Sequence, residues 1–451
     1  MNLSFKNKYN ALLILLIIFT IISFFLGFYY DETATNGYVD LDWIKRNISI
    51  FLSNNILDSI KHPEYFGNRT PLMYILHVTL NPFIENIYYY RISVFLFSLL
   101  GPFFFYLCLK NKYFKDNKII LLLISSIILL SPYYRSSAYW GLEENYAIIF
   151  SLISLLSLEY FLQNNKIRVS YTYLLILVIS VSSSACVYFD LKFLIIPLIC
   201  FLSILFSEKN LKLKLLLFIL YFTLAIPYLY LIFIWGGLTP PYTAQENINS
   251  ITKISRISTL YYPHIGYAAT IIGFYLFPLI FFMRKNFKKH FSDLLTSRIN
   301  LFLIFIFILY LLYLFIFFDY EKFTTTNYWI GLGYIHKISI LLFKDKLFIQ
   351  EIFTLFSFLV CWIIILMFVN SNLINLLLIF YFFILSIFLW PLMQEYFDPI
   401  FLILSLLFFK NDLKINYKNS LILFVYFLIF FVGVSIYYFG PPAGTSYPII
   451  Q

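Results

Sequence analysis

The residues with the clearest capacity for chemistry stand where the first long apolar run ends. Residues 11–29 can cross a bilayer, and the acidic pair Asp31 and Glu32 follows at once. If this run is a helix, Asp31 lies at its C-terminal end, where the helix dipole disfavours a carboxylate. A partly desolvated carboxylate at that position accepts a proton better than one in water. The alternative is that both acids only mark the membrane edge.

Five further ionisable residues are candidates for binding roles. Glu143 and Glu144 open a predicted helix, where acids complement the dipole and can act simply as caps. Two adjacent acids cannot both face one partner, so one of them should point inward. Arg135, in the preceding short loop, is expected either to bind phosphate or to pair with Glu143. Asp190 and Lys192 lie beside a predicted span and are expected to form a mutual ion pair.

Three further cations are candidates for binding phosphate, and two further acids are expected to be solvated. Lys253 and Arg256 are three residues apart, hence on one helical face, and suit either a phosphate clamp or contact with anionic headgroups. Lys337 is a weaker candidate for the same task. Asp40 and Asp42 are expected to be the solvated face of an amphipathic helix and not metal ligands.

The composition requires a lipid-facing surface. Of 451 residues, 61% are hydrophobic and 12% are charged, whereas soluble domains carry about a quarter charged residues. The apolar runs have helix length and lack the alternation of a barrel strand, which predicts an all-α polytopic membrane protein. The net charge of +10 is spread over short loops, so no nucleic-acid partner is expected. The four cysteines show no metal-ligand spacing.

The hydropathy pattern predicts a single membrane domain, residues 1–451, with about thirteen spanning helices. They are placed at 11–29, 90–109, 117–131, 142–162, 171–185, 192–207, 212–234, 264–283, 299–318, 347–369, 373–390, 397–410 and 419–439. With the N-terminus inside, the internal segments carry 19 of 32 cations and 5 of 22 acids. This bias follows the positive-inside rule and predicts a cytoplasmic N-terminus and an external C-terminus.

Three long loops face outward in this topology: 30–89, 235–263 and 319–346. The first contains two predicted amphipathic membrane-surface helices, Val39–Leu52 and Thr70–Leu80. Because internal loops are mostly short, the outer face is expected to carry the function. We therefore expect the active site in 30–89 and a lipid-phosphate groove beside 235–263.

The layout resembles the GT-C superfamily of membrane glycosyltransferases, which use a lipid-phosphate-linked sugar as donor. Tyr30-Asp31-Glu32 is similar to the acidic pair after the first helix of the α-1,2-glucosyltransferases that complete the lipid-linked oligosaccharide. Ser131-Pro132 followed by Leu142-Glu143-Glu144-Asn145 resembles that family's Pro-containing loop and its glutamate, which implies a role for Glu144. The segment 390–400 resembles its late Glu-aromatic motif, which implies Glu395.

The resemblance implies one inverting displacement at the outer face. The donor is expected to be a polyprenyl- or dolichyl-phosphate sugar and the acceptor a glycan or lipid-linked molecule. Asp31 is the expected base, with Glu32 as alternate and Glu144 as an orienting group. Phosphate is expected on a subset of Arg135, Lys253, Arg256 and Lys337. No cofactor is predicted, and a divalent metal is not indicated.

Two rival functions make different demands on the sequence. A transporter or flippase of lipid-linked glycans would need charges inside the spans and two-fold internal symmetry, and no internal repeat is visible. A polysaccharide polymerase or ligase would be expected to rely on outer arginines. The two sequons Asn47-Ile48-Ser49 and Asn68-Arg69-Thr70 would bring glycans to the predicted site in an organelle lumen, which favours a bacterial inner membrane.

Overall fold

The computed structural model describes most of the chain: residues 3–34, 37–67, 70–113, 117–163, 169–208, 210–237, 240, 261–283, 287–321, 331–344, 346–369, 373–389, 392–409 and 413–439. The regular elements of these ranges are helices, and Met283 and Leu413 form an isolated backbone bridge.

The α-helices of the described ranges are, in chain order, α1 Leu3–Tyr29, α2 Gly37–Ser53, α3 Ile56–Ile60, α4 Leu72–Leu80, α5 Ile87–Ser98, α6 Leu100–Lys112, α7 Lys118–Ser126, α8 Pro132–Trp140, α9 Glu144–Gln163, α10 Val169–Phe189, α11 Ile195–Ser207, α12 Leu211–Trp235, α13 His264–Leu276, α14 Phe287–Thr296, α15 Arg298–Phe317, α16 Gly333–Phe343, α17 Leu347–Val369, α18 Leu373–Phe388, α19 Ile400–Leu407 and α20 Tyr417–Phe439. Short 3₁₀ turns occupy Ile127–Leu130, Leu191–Phe193, Phe277–Phe282 and Gln394–Tyr396.

Nine helical stretches in the described ranges are long and apolar enough to cross a membrane. A tenth is obtained if the bent pair Lys118–Leu130 and Pro132–Trp140, which turns through 65°, counts as one span. This architecture confirms an all-α integral membrane protein with multiple spans.

The exposed faces of these helices are apolar, as a lipid-facing surface requires. In α15 the buried residues are Asn300, Phe307 and Leu314, which repeat every seven positions along one narrow stripe. Large side chains cover the remaining faces, with Phe317 69% exposed. A soluble helix would place charged residues there, so the partner of this surface is hydrocarbon.

The chain divides into two compact units, and the first comprises Met1–Ile251 together with Phe424–Gln451. In this unit α9 packs against α6 and α10. The two helices predicted in 30–89 are present as α2 and α4, with bounds that differ by one or two residues. The predicted span 90–109 is divided between α5 and α6 at Leu99, just before Pro102, whose missing N–H cannot continue the bonding of α5.

The second unit comprises Thr252–Leu423 and is built on α13. Twelve of the thirteen α13 residues are buried. A Cβ atom on Gly266 would meet the Phe358 ring, and one on Gly273 would lie 2.5 Å from the Cys361 Cβ. Because these glycines are seven residues apart and face α17, they allow the two helices to approach closely.

Candidate functional site

Helix α1 ends in a left-handed turn at Asp31. The Glu32 N–H donates to the Gly27 carbonyl at 2.9 Å and the Asp31 N–H to the Phe28 carbonyl at 3.3 Å, which is the Schellman pattern of a helix C-terminus. Asp31 has φ 50° and occupies the position where glycine is normally found. The chain therefore places a carboxylate where backbone stability favours no side chain.

The Asp31 carboxylate lies at the surface and pairs with Arg91 of α5. Arg91 Nη2 donates to Asp31 Oδ1, and the Asp31 side chain is 58% exposed. The Asp31 carboxylate is thus partly covered by the protein, and a cation adjoins it. Tyr29 and Tyr30 beside it are exposed aromatic side chains.

The neighbouring Glu32 turns in the opposite direction and pairs with buried Arg135. Arg135 Nε and Nη2 donate to its two carboxylate oxygens at 2.8 and 2.6 Å. The same guanidinium also donates to the Leu129 and Ser23 carbonyls, and its side chain is 1% exposed. The alternative that Arg135 pairs with Glu143 is wrong. Phosphate binding by Arg135 stays a prediction, and these bonds occupy most of the N–H donors of its guanidinium.

The start of α8 explains the position of Arg135. The Ser131 Oγ accepts from the Tyr134 N–H at 3.0 Å, and Pro132 occupies the first helical position, so Ser131-Pro132 begins a new helix after the bend. The segment predicted as a loop is thus helical. Arg135 lies in its first turn and is directed back toward α1.

Trp140, at the end of α8, links the two acid–arginine pairs. Its Nε1–H donates to the Glu32 carbonyl at 3.0 Å, and its ring lies 4.7 Å from the Arg91 guanidinium carbon. Arg91 Nε donates to the Tyr139 carbonyl at 2.6 Å, and the Tyr139 hydroxyl donates to the Phe24 carbonyl at 2.7 Å. The loop after α1 is consequently fixed to α5 and α8.

Of the adjacent glutamates, Glu143 is the one directed inward. It is 7% exposed. Burial raises the pKa of Tyr65 well above its ordinary value, and the nearby Tyr74 and Glu143 add to this shift. Glu144 lies at the start of α9 and accepts from the Ser137 hydroxyl at 3.1 Å. No acceptor for the Tyr65 hydroxyl is found within the described ranges. The cluster is a buried polar interior beneath the first loop.

His77 of α4 belongs to the same interior. Its Nε2 lies 2.9 Å from the Tyr146 hydroxyl and its Nδ1 lies 3.0 Å from Asn81 Nδ2. Since the amide nitrogen only donates, Nδ1 accepts and Nε2 carries the proton. Burial lowers the pKa of His77 to about 4. The ring is therefore neutral near pH 7.

Asp190 and Lys192 form the predicted mutual ion pair. Lys192 Nζ lies 3.0 Å from Asp190 Oδ2, and both side chains are buried. Asp190 Oδ1 also accepts from the Lys192 N–H at 3.0 Å, which caps the short 3₁₀ turn after α10. The nearby Tyr188 carbonyl accepts from the Thr70 hydroxyl, which fixes the start of α4 to α10.

Lys337 and Glu395 both lie in the second unit. Lys337 is in α16, next to buried His336, and burial lowers the pKa of its ammonium to about 8. Glu395 lies in the 3₁₀ turn Gln394–Tyr396, and the side-chain oxygen of Gln394 accepts from the first turn of α16 at 2.6 Å.

Several predicted positions fall outside the described ranges. They are Lys253, Arg256 and most of the 235–263 loop. In the described ranges no group of three or more His, Cys, Asp or Glu residues is arranged to hold a metal ion.

Arg91 is the residue that sequence reasoning missed. It lies just inside the predicted span 90–109. An ionisable residue within an apolar span is the signal that marks it, because such groups face the protein interior or a partner.

Comparison of the chain with protein-family models, curated proteins and solved structures finds no match. The geometry of the acidic turn and the motif resemblance of the sequence are therefore the observations that bear on function.

Proposed function

We propose that this protein is a membrane glycosyltransferase that moves a sugar from a polyprenyl-phosphate-type donor to a glycan or lipid-linked acceptor. The observation that carries the proposal is the Asp31 carboxylate. It occupies a left-handed position that favours glycine, is reachable from water and is oriented by a neighbouring guanidinium. Unfavourable backbone conformations in functional sites often serve to present a reactive side chain.

The proposed reaction is a single displacement with Asp31 as general base. An acceptor hydroxyl oxygen attacks the anomeric carbon, and a new carbon–oxygen bond forms as the bond from that carbon to the phosphate oxygen breaks. The phosphate leaves with the bonding electron pair, while Asp31 takes the hydroxyl proton. Attack opposite to the leaving group inverts the anomeric configuration. The exposed rings of Tyr29 and Tyr30 offer apolar faces on which a sugar can stack.

Glu32 has a different role in this proposal. Its two bonds to Arg135 and its low exposure make it a positioning residue that fixes the turn carrying Asp31. Glu144 is proposed to orient substrate. The sequence pattern and the motif resemblance support four further substrate-binding residues in this proposal: Lys253, Arg256, Lys337 and Glu395.

The proposed topology has thirteen crossings with the acidic turn on the external face. The nine long helices and the bent pair would be joined by the shorter apolar segments Leu191–Ser207, Ile374–Phe388 and Ile400–Leu407. The positive-inside bias supports a cytoplasmic N-terminus and an external C-terminus. We propose a bacterial inner membrane as the location.

The test is mass spectrometry of lipid-linked glycans and surface polysaccharide from a strain that lacks the protein. Restoring the wild-type gene should return a glycan carrying one additional sugar, and Asp31→Asn should not. Asp42→Asn is the matched control, because Asp42 is also an exposed carboxylate paired with a cation, Lys45, at 3.0 Å. Identical glycans with and without the protein, or full restoration by Asp31→Asn, would contradict the proposal.

A further inference from the structure

The Arg91 guanidinium is held in a fixed orientation at the surface end of α5. Its Nε donates to the Tyr139 carbonyl, and its carbon lies 4.7 Å from the Trp140 ring centroid and 5.4 Å from that of Phe28. The side chain is 12% exposed. Two rings and a carbonyl thus determine its plane before any ligand arrives, and an anion approaching it meets a preorganised group.

Some N–H donors on the outer edge of the Arg91 guanidinium are not used in hydrogen bonds to the described residues. An arginine has five N–H donors. Arg91 uses one on Tyr139 and one on Asp31, and its Nη1 has no acceptor within the described ranges. The remaining donors form one side of the planar fork that binds carboxylate and phosphate in a bidentate manner.

We propose that Arg91 binds the phosphate of a phosphate ester and that this phosphate displaces Asp31 from the guanidinium. The inference rests on the proposed function, since it assigns the phosphate to the donor lipid. Asp31 is a weak competitor because an ion pair with one partner mostly in water is worth little. The phosphodiester of the donor carries one negative charge on two non-bridging oxygens, which can accept from two N–H groups of the fork, and the phosphate monoester that leaves after transfer carries more charge.

The exchange couples donor binding to catalysis. While Asp31 Oδ1 accepts from Arg91 Nη2, the guanidinium occupies the side of the carboxylate that an acceptor hydroxyl would need. Once phosphate occupies Arg91, the Asp31 carboxylate is released and can accept a hydrogen bond from that hydroxyl. Asp31 is thus an effective base only when the donor is bound.

The other buried cations of this unit are less suited to the task. Arg135 already makes four hydrogen bonds and is 1% exposed. Lys192 is buried and paired with Asp190. Arg91 therefore combines a fixed guanidinium with unoccupied donors and access from the surface.

The experiment measures binding of a fluorescent polyprenyl monophosphate to the full chain in phosphatidylcholine nanodiscs. Arg91→Gln should weaken binding at least about tenfold, and Arg91→Lys should be intermediate because it keeps the charge without the fork. Asp31→Asn should tighten binding about three- to tenfold, because the internal competitor loses its charge. A purely structural ion pair predicts no such gain.

A matched ion pair supplies the control. Arg46 Nη2 lies 3.0 Å from Glu64 Oε2, and the Glu64 side chain is 58% exposed, as Asp31 is. Arg46→Gln and Glu64→Gln should leave polyprenyl phosphate binding within about twofold. Unchanged binding in Arg91→Gln, or weaker binding in Asp31→Asn, would overturn the proposal.

Competition and turnover separate this inference from the proposed function. Inorganic phosphate and phosphatidylglycerol should compete poorly with the polyprenyl phosphate; equal competition by phosphatidylglycerol would assign the site to a lipid headgroup and overturn the donor assignment. If Arg91→Gln loses binding but the wild type transfers no sugar, the phosphate site stands and the glycosyltransferase proposal fails. If Arg91→Gln transfers sugar with an unchanged donor KM, the glycosyltransferase proposal stands and the phosphate site at Arg91 fails.

Discussion

Asp31 and Glu32 are neighbours in the chain, yet their carboxylates occupy opposite environments. Glu32 is 13% exposed and makes two bonds to an arginine that is itself buried, whereas Asp31 is 58% exposed and pairs with an arginine at the surface. Removing one member of a buried pair leaves a desolvated charge, whereas an exposed charge returns to water. One acid of the pair is therefore enclosed in the fold together with its cation, whereas the other remains accessible from the surface.

The largest effect is expected when the buried Glu32–Arg135 pair is broken. Arg135→Gln leaves Glu32 desolvated without its cation and should lower the free energy of unfolding by about 3–5 kcal/mol. Arg91→Gln frees an exposed carboxylate and removes the contacts of the guanidinium with the Tyr139 carbonyl and the Trp140 ring, and it should cost about 1–2 kcal/mol. Denaturant unfolding in detergent measures both variants. Equal losses in the two would show that burial does not distinguish the pairs.

The second prediction concerns His77, which is buried in the polar interior beneath the first loop. Because burial lowers the pKa of His77 from 6.5 to about 4, the folded protein binds fewer protons than the unfolded chain between these values. The contribution of neutral His77 to the free energy of unfolding is fully present above pH 6.5. It falls by roughly 3 kcal/mol as the pH decreases toward 4. His77→Gln should remove this part of the acid sensitivity. An identical pH dependence of unfolding in both proteins would contradict it.

A third change disturbs the buried pair without altering any charge. A Cβ on Gly27 would lie 2.5 Å from Glu32 Oε2 and 2.6 Å from both Arg135 Nη2 and the Tyr139 hydroxyl. Gly27→Ala should therefore cost about 1–3 kcal/mol. Gly237→Ala is the control, since no atom of the described residues lies within 4 Å of its added Cβ. Comparable melting temperatures for the two variants would show that the packing around Glu32 is loose.

The smallest stability effect is expected at the exposed acid. Asp31→Gly removes a weak ion pair, but glycine adopts the left-handed backbone conformation of this position with less strain than aspartate. The two effects oppose each other, so the free energy of unfolding should change by less than about 1 kcal/mol. Sugar transfer should nevertheless be lost. Thermal unfolding and glycan analysis of the same variant separate the two effects. A large loss of stability would mean that Asp31 is retained for folding.

The sequence predicted the helical membrane architecture because long apolar runs leave few alternatives in a bilayer. It also located the acidic pair and the Asp190–Lys192 ion pair. It could not tell which of two adjacent acids turns inward, since that depends on the left-handed turn at Asp31. Nor could it find Arg91 as a partner of Asp31, because the two residues are 60 positions apart and are separated by three helices whose packing no local pattern specifies.

The most direct test of the central claim is sugar transfer by the purified protein in nanodiscs. Labelled polyprenyl-phosphate glucose and polyprenyl-phosphate mannose are supplied as donors, with membrane glycolipids of the deletion strain as acceptor. The account predicts that Asp31→Asn lowers the transfer rate by about 10²–10⁴-fold while donor binding is retained or tightened. A rate for Asp31→Asn within about threefold of wild type would contradict general-base catalysis by Asp31.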